Sequence, residues 1–450
     1  MPFAATPDFV PRPIQDKAGQ PSRLLSSLFS APDPESEVEL AARPWQPATR
    51  NALRALLACL ALENCAQNQD KVVLVANIYF RSSLVGGVGG EEIWAASTMR
   101  AMKNLGYTVL HGSSLSEIVQ MYRIFPDLVK MVIVADWDSF KCYEDEYCVQ
   151  SDINPSGIPI HKIFSFYFWP FPRHPLGQRW VLAPEPFAIQ PDPVAVSNNT
   201  YLGYSIEDDC ALTPFIPPSS RPDPPRAWVL AKLLRYLSPA ADPSWSKADF
   251  DAVSEATGIT FALGAGLDNG ESDPGTREEL QGRLPEQSVN EIDVTRPDSR
   301  LSKAEFMGKV AQTRVLVGVG SPILSPTPYN ALCLGVPFIN PIDNWDPENP
   351  EDTTKWHGQQ NMLSSMKPPF VYNVRKADRP ALIAAIFTAL STPIDSYILP
   401  RMQMSAVESR LAEIVDTDWK AEADALRAWC DQPCGCLSPC DTRSTSESES

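Results

Sequence analysis

Two small-residue stretches, one in each half of the chain, hold the residue types that handle anions and protons. In the second half, Val315-Leu-Val317 runs into Gly318-Val-Gly-Ser-Pro-Ile-Leu-Ser-Pro326, then into Thr327-Pro-Tyr-Asn-Ala-Leu-Cys-Leu334, closed by Gly335. A buried strand, a loop of Gly, Ser and Pro, and a short helix from Tyr329 to Leu334 offer backbone N–H groups and a partial positive charge to an anion. Ser325 and Thr327 add hydroxyls to a turn stiffened by Pro326 and Pro328. In the first half, Gly86-Gly-Val-Gly-Gly-Glu91 stands between a strand and a helix. It sets the Glu91 carboxylate at the helix start, beside small residues that let another molecule's backbone come close. Taken alone, each stretch also reads as an ordinary βα turn, with Glu91 and Glu92 simply matching the helix dipole.

Other residues speak less clearly. Asp136-Trp-Asp138 follows an apolar strand and has the form of a motif that holds Mn²⁺ or Mg²⁺ against a diphosphate, but Asp-x-Asp is short and common. Lys232, after Trp228-Val-Leu-Ala231, could face a phosphate or simply be solvated. His111, His161, His174 and His357 show no metal-ligand or triad spacing, and there is no Gly-x-Ser-x-Gly, Walker loop or His-Glu-x-x-His.

The order of these residues resembles glycosyltransferase family 18, the N-acetylglucosaminyltransferase V family. Gly318, Gly320, Pro322, Pro326, Pro328, Ala331, Gly335, Phe338, Asn340 and Pro341 follow its donor-nucleotide pattern, and Gly86, Gly87, Gly90, Glu91 and Gly106-Tyr107 its first-domain pattern. The likeness covers residues 72–137 and 301–375, with Tyr201–Glu207 a local match between them. The family carries acidic residues where this chain has Leu324 and Asn330, and a single aspartate at the strand end where this chain has Asp136 and Asp138.

The resemblance implies an α/β protein of two doubly wound Rossmann-like domains facing a cleft, the GT-B type. It makes Glu91 the catalytic base and Gly86, Gly87 and Gly90 the acceptor-binding loop. Gly320, Ser321, Pro322, Ser325, Pro326, Thr327, Asn330 and Lys232 would bind the donor nucleotide. The implied reaction is an inverting transfer of N-acetylglucosamine from UDP-GlcNAc to a mannose of an N-glycan-like acceptor, with no metal and no cofactor. A GT-B transferase using another sugar donor, or a catalytically weak glycan-binding relative, are the alternatives.

The surrounding elements are those needed to hold such loops. Strands at Lys71–Asn77, Tyr107–Leu110 and Val129–Ala135 alternate with helices, as do Ala227–Leu230, Thr260–Leu263 and Val315–Val317 further on. Helices are expected over 47–67, up to Leu105, over Leu115–Arg123, Lys232–Tyr236, Lys303–Gln312, Ala381–Leu390 and, as one long amphipathic element, Ser405–Trp429. The expected division is an arm at 1–43, a domain at 44–217, a Pro-rich linker at 218–226, a domain at 227–400, a crossover helix at 401–429 and a Cys- and Ser/Glu-rich tail at 430–450. Asp268–Arg300 reads as an exposed polar excursion.

A formal charge of −17 argues against nucleic acid as a partner. No window approaches 18 apolar residues, so no membrane span is expected in this chain, and its first residues carry no signal-peptide pattern. Cys142 and Cys148, and the cluster Cys430, Cys434, Cys436 and Cys440, suit disulfides better than zinc. With the Asn198-Asn-Thr200 sequon they suggest a secretory setting, and the resemblance implies the Golgi lumen, with an anchor absent from this chain or not recognisable in it.

Overall fold

A computed structural model describes residues 43–187, 197–266, 288–292 and 300–430. The arm, most of the 268–300 excursion, and Cys434, Cys436 and Cys440 of the tail lie outside the described residues; for Trp429 and Cys430 only the backbone is described.

The first domain runs α1 (Trp45–Ala61), β1 (Val72–Ala76), α2 (Ile78–Leu84), α3 (Gly90–Asn104), β2 (Thr108–His111), α4 (Leu115–Ile124), β3 (Val129–Ala135), α5 (Asp138–Glu144), β4 (Ile163–Phe166), β5 (Val181–Ala183), β6 (Thr200–Tyr201) and α6 (Glu207–Cys210). Its six strands are all parallel, in the order β2-β1-β3-β4-β5-β6. The second domain runs β7 (Arg226–Leu230), α7 (Lys247–Thr257), β8 (Thr260–Leu263), β9 (Val289–Asn290), α8 (Lys303–Ala311), β10 (Val315–Gly318), α9 (Thr327–Cys333), β11 (Phe338–Asn344), β12 (His357–Gly358), β13 (Val371–Arg375) and α10 (Arg379–Ser391). Here the parallel order is β13-β11-β10-β7-β8-β9, with β12 an antiparallel addition to β11.

Both domains are therefore doubly wound, as expected. The cause is visible in the strands: Val72-Val-Leu-Val-Ala76 and Val315-Leu-Val-Gly318 are buried at every position, which only a sheet covered on both faces can accommodate. Each sheet has an outer apolar core of its own. A third core, holding Trp94, Phe166, Leu324 and Tyr329, is continuous across both domains. Trp94 stacks on Phe166 with ring centroids 3.4 Å apart.

Several helices differ from the sequence reading. Asn77 caps α2 by accepting from the Tyr79 N–H, so the chain turns helical directly after β1 instead of looping to Gly86. α7 is bounded by a Ser246/Asp249 capping box and by Gly258 in the left-handed region, two signals the apolar pattern alone does not show. Lys232–Tyr236 is not a helix: Leu233 bridges Gly266, and only Leu234–Leu237 makes a 3₁₀ turn.

The single helix expected over 405–429 is two, α11 (Met404–Asp416) and α12 (Trp419–Cys430). Thr417 is extended between them, and the Asp418 carboxylate accepts from the Ala421 N–H to start the second. Both lie on the first domain. Asp416 pairs with Lys71 at 2.5 Å and Glu422 with Arg179 at 2.6 Å, while Trp419 packs edge-on against Phe164 at 4.8 Å. No helix among the described residues is long and apolar enough to cross a membrane.

Candidate active site

In doubly wound sheets, ligands bind beyond the carboxyl ends of the strands where the strand order reverses. That point lies between β1 and β3 in the first domain, so the loops carrying Tyr79, Gly86–Glu91 and Asp136 border it. In the second domain it lies between β7 and β10, so Lys232 and Val319–Pro326 border it. The two points meet. A Cβ placed on Gly90 would stand 3.2 Å from the Phe168 ring and 3.4 Å from Cδ of Pro326, across the domain boundary.

On the first-domain side, α3 starts at Gly90 with both glutamates in its first turn. Their roles differ. Glu92 accepts from the Ser82 hydroxyl at 3.1 Å and so ties α3 to the end of α2. The half-buried Glu91 carboxylate makes no hydrogen bond to the described residues. The Tyr79 hydroxyl is pushed above its usual range, first by burial and then by Glu91, Asp136 and Glu92, with Tyr167 adding to it. These side chains are near enough to one another to interact electrostatically.

The glycines do more for the protein than for a ligand. Gly86 has φ +91°, a Cβ on Gly87 would meet Ser82 Oγ, and one on Gly89 would meet the Glu92 carboxylate. Asp138, the second acid of Asp-x-Asp, pairs with Lys141 at 2.8 Å within its own helix.

On the second-domain side, sequence reasoning missed a central residue. The buried Gln359 carboxamide accepts from the N–H groups of Val319 (2.8 Å) and Gly320 (3.1 Å) and donates to the Pro322 carbonyl (3.1 Å). Two of the amides expected to be free are thereby occupied. The N–H groups of Ser321, Ile323 and Ser325 keep no partner among the described residues, and with the hydroxyls of Ser321, Ser325 and Thr327 they are what the loop can offer an anion. α9 begins at Thr327 and is only seven residues long, so little of the attraction comes from a helix dipole. Lys232 is exposed and its ammonium makes no ion pair among the described residues.

Gly320 also differs from expectation. Its φ is +97°, and a Cβ there would point at Ser244 Oγ (2.9 Å) and the Asp343 carboxylate (3.2 Å), not at open space. Substitution at Gly320 therefore strains the fold itself. Asn330 is buried, and its amide donates to Asp209 of the first domain at 3.2 Å; Leu324 is buried with φ +56°. Neither side chain is free to hold a ribose.

The same region carries the strongest ties between domains. Cys333 at the end of α9 is disulfide-bonded to Cys210 at the end of α6, and Lys303 pairs with Asp209. Just behind the loop, Tyr329 donates to the buried Glu185 at 2.8 Å, Tyr204 donates at 3.4 Å, and Arg401 donates to the Tyr329 hydroxyl at 3.2 Å. Burial pushes Glu185 up to about 7, against the opposing pull of Arg401 and the two tyrosine hydrogen bonds.

The folded protein thus holds this proton to about pH 7, whereas the ordinary value is 4.5. The folded state binds more protons across that window, so this group's stabilisation is present at low pH and lost as pH rises towards and past 7. Melting curves between pH 5 and pH 8 should show a downward trend that Glu185→Gln flattens, because the amide keeps an acceptor for Tyr329 and cannot ionise. Identical trends in the two proteins would show that Glu185 does not titrate there.

No family model matches this sequence, and no curated protein matches it. Solved structures similar to it include AviGT4, a glycosyltransferase involved in avilamycin A biosynthesis (14% identity, 79% of this chain and 98% of that one, TM-score 0.42). Others are the trehalose-6-phosphate synthase OtsA (9%, 80% and 98%, TM-score 0.40) and the UDP-GlcNAc 2-epimerase of Methanocaldococcus jannaschii (12%, 76% and 99%, TM-score 0.38). These likenesses carry no inference about substrate or chemistry.

Proposed function

We propose that this protein is a GT-B-type glycosyltransferase that moves N-acetylglucosamine, with inversion, from UDP-GlcNAc to a mannose of an N-glycan-like acceptor. The observation that carries the reading is the meeting of the two strand-order reversals at Gly90 and Pro326, with Glu91 on one side and Lys232 on the other, neither of them paired among the described residues. In this reading the donor diphosphate lies on the Ser321–Thr327 loop, with Lys232 offsetting its charge. Glu91 takes the proton from the acceptor hydroxyl as that oxygen attacks the anomeric carbon from the face opposite the leaving UDP.

One base is sufficient for a single displacement, and metal independence is part of the proposal. Three disulfides among the described residues, Cys59–Cys65, Cys142–Cys148 and Cys210–Cys333, support an oxidising secretory compartment, and Asn198 of the sequon is exposed. A binding protein without transfer activity is the second reading. It is favoured by Leu324 and Asn330, which put no acid in that segment for the nucleotide and are themselves buried.

The test is a thermal-shift panel of nucleotide sugars run with EDTA and with Mn²⁺. A donor at a hundred times its dissociation constant adds about 2.7 kcal/mol of stability. UDP-GlcNAc should stabilise the protein in EDTA. Stabilisation that needs Mn²⁺ removes the metal-free mechanism, and no response to any nucleotide sugar removes the transferase reading.

A further inference from the structure

Arg173 lies on the segment that returns from β4 after Tyr167-Phe-Trp-Pro-Phe-Pro172. Its carbonyl accepts from the hydroxyls of Ser139 (2.9 Å) and Ser165, which fixes the backbone. Its half-buried guanidinium lies over the Trp137 ring at 4.1 Å and the Tyr167 ring at 5.0 Å, and donates to the Tyr167 hydroxyl at 3.4 Å. Among the described residues no carboxylate lies within ion-pair distance of it, and its Nε is buried without a partner.

A buried Nε without a partner is shared by Arg123, Arg314 and Arg401, whereas Arg221 and Arg379 engage theirs. Arg221 donates to the carbonyls of Ile216, Thr313 and Leu334, and Arg379 pairs with Asp249 at 2.7 Å. Aromatic stacking covers the faces of a guanidinium and leaves its edge, the part that recognises carboxylate or phosphate oxygens.

The position gives this edge a use. Trp137 follows β3 and Tyr167 follows β4, so both stand at the carboxyl end of the first sheet, in the row that continues through Asp136 and Tyr79 to Glu91. Trp137 is 52% exposed, enough to leave an indole surface for a sugar ring. An anion entering this row is repelled by Glu91, Glu92 and Asp136 and drawn to Arg173.

We propose that Arg173, Trp137 and Tyr167 form an acceptor subsite for a sugar carrying an oxyanion, either a carboxylate or a phosphate ester. The proposal rests on the first-domain crevice being the acceptor site.

Calorimetric titrations of the full chain, with and without saturating UDP, test it with two matched pairs: mannose 6-phosphate against mannose, and methyl glucuronide against methyl glucoside. At least one charged sugar should bind about tenfold or more tightly than its neutral partner, as a charge-assisted hydrogen bond predicts. The preference should shrink at high salt, vanish in Arg173→Gln and survive in part in Arg173→Lys. The pair that shows it identifies the anion. Equal affinity for charged and neutral sugars in the wild type, or no saturable binding of any of the four, overturns the subsite even if the variants fail to fold. Nucleotide stabilisation without anion preference sinks this inference alone. Anion preference without any nucleotide response keeps the subsite and sinks the transferase.

Discussion

Glu91→Gln is expected to fold as the wild type does, keep its stabilisation by UDP-GlcNAc and lose transfer about 10²–10⁴-fold, the usual contribution of a general base. The exchange preserves shape and removes only charge and basicity. Because the Glu91 carboxylate has no hydrogen bond among the described residues, its loss should break nothing in the fold. Glu92→Gln is the informative companion. Glu92 holds the Ser82 hydroxyl and packs beside Gly87 and Gly89, so its loss should act through loop stability. Single-turnover rates with saturating donor separate the two, and undiminished chemistry in Glu91→Gln would end its candidacy as the base.

The second large effect is structural. Replacing Cys210 and Cys333 together by serine should lower stability by about 2–5 kcal/mol, the range for removing a native disulfide. The chain-entropy model gives about 5 kcal/mol for a loop of this length and about 2 kcal/mol for the short loops, because closing a longer loop restricts the unfolded chain more. The sequence separations are 123 for Cys210–Cys333 and 6 for each of the other two pairs.

Loss of the pair should also loosen α9, which follows directly on Ser325 and Pro326 and begins at Thr327, and so weaken nucleotide binding. Denaturant melts of the double variant against Cys142→Ser/Cys148→Ser check the ranking. Equal losses would mean that the interdomain pair does not constrain the unfolded chain as its span requires.

The strands and the two loops were legible in the sequence because their causes are local. Val129–Ala135 reads as a buried strand from its own apolar run, and Gly106 stops a helix because its φ of +83° suits glycine. The small residues of 86–90 and 318–326 likewise mark turns wherever they stand. What those turns contact was decided elsewhere. Gln359 follows Gly320 by a long stretch, yet it occupies two amides of the loop because β11 and the chain after it return beside β10.

Glu185 and Arg401 carry no motif in the sequence, and with Tyr204 and Tyr329 they become one buried network only where the domains close on each other. Arg173 acquires its aromatic partners only when adjacent strands bring Trp137 and Tyr167 beside it. Apolar periodicity and turn chemistry act over a few residues, so the sequence by itself determines the main strands and the doubly wound alternation. Partner choice for a polar side chain depends on which distant backbone lies within about 3 Å, and that is set only when the sheets stack and the domains meet.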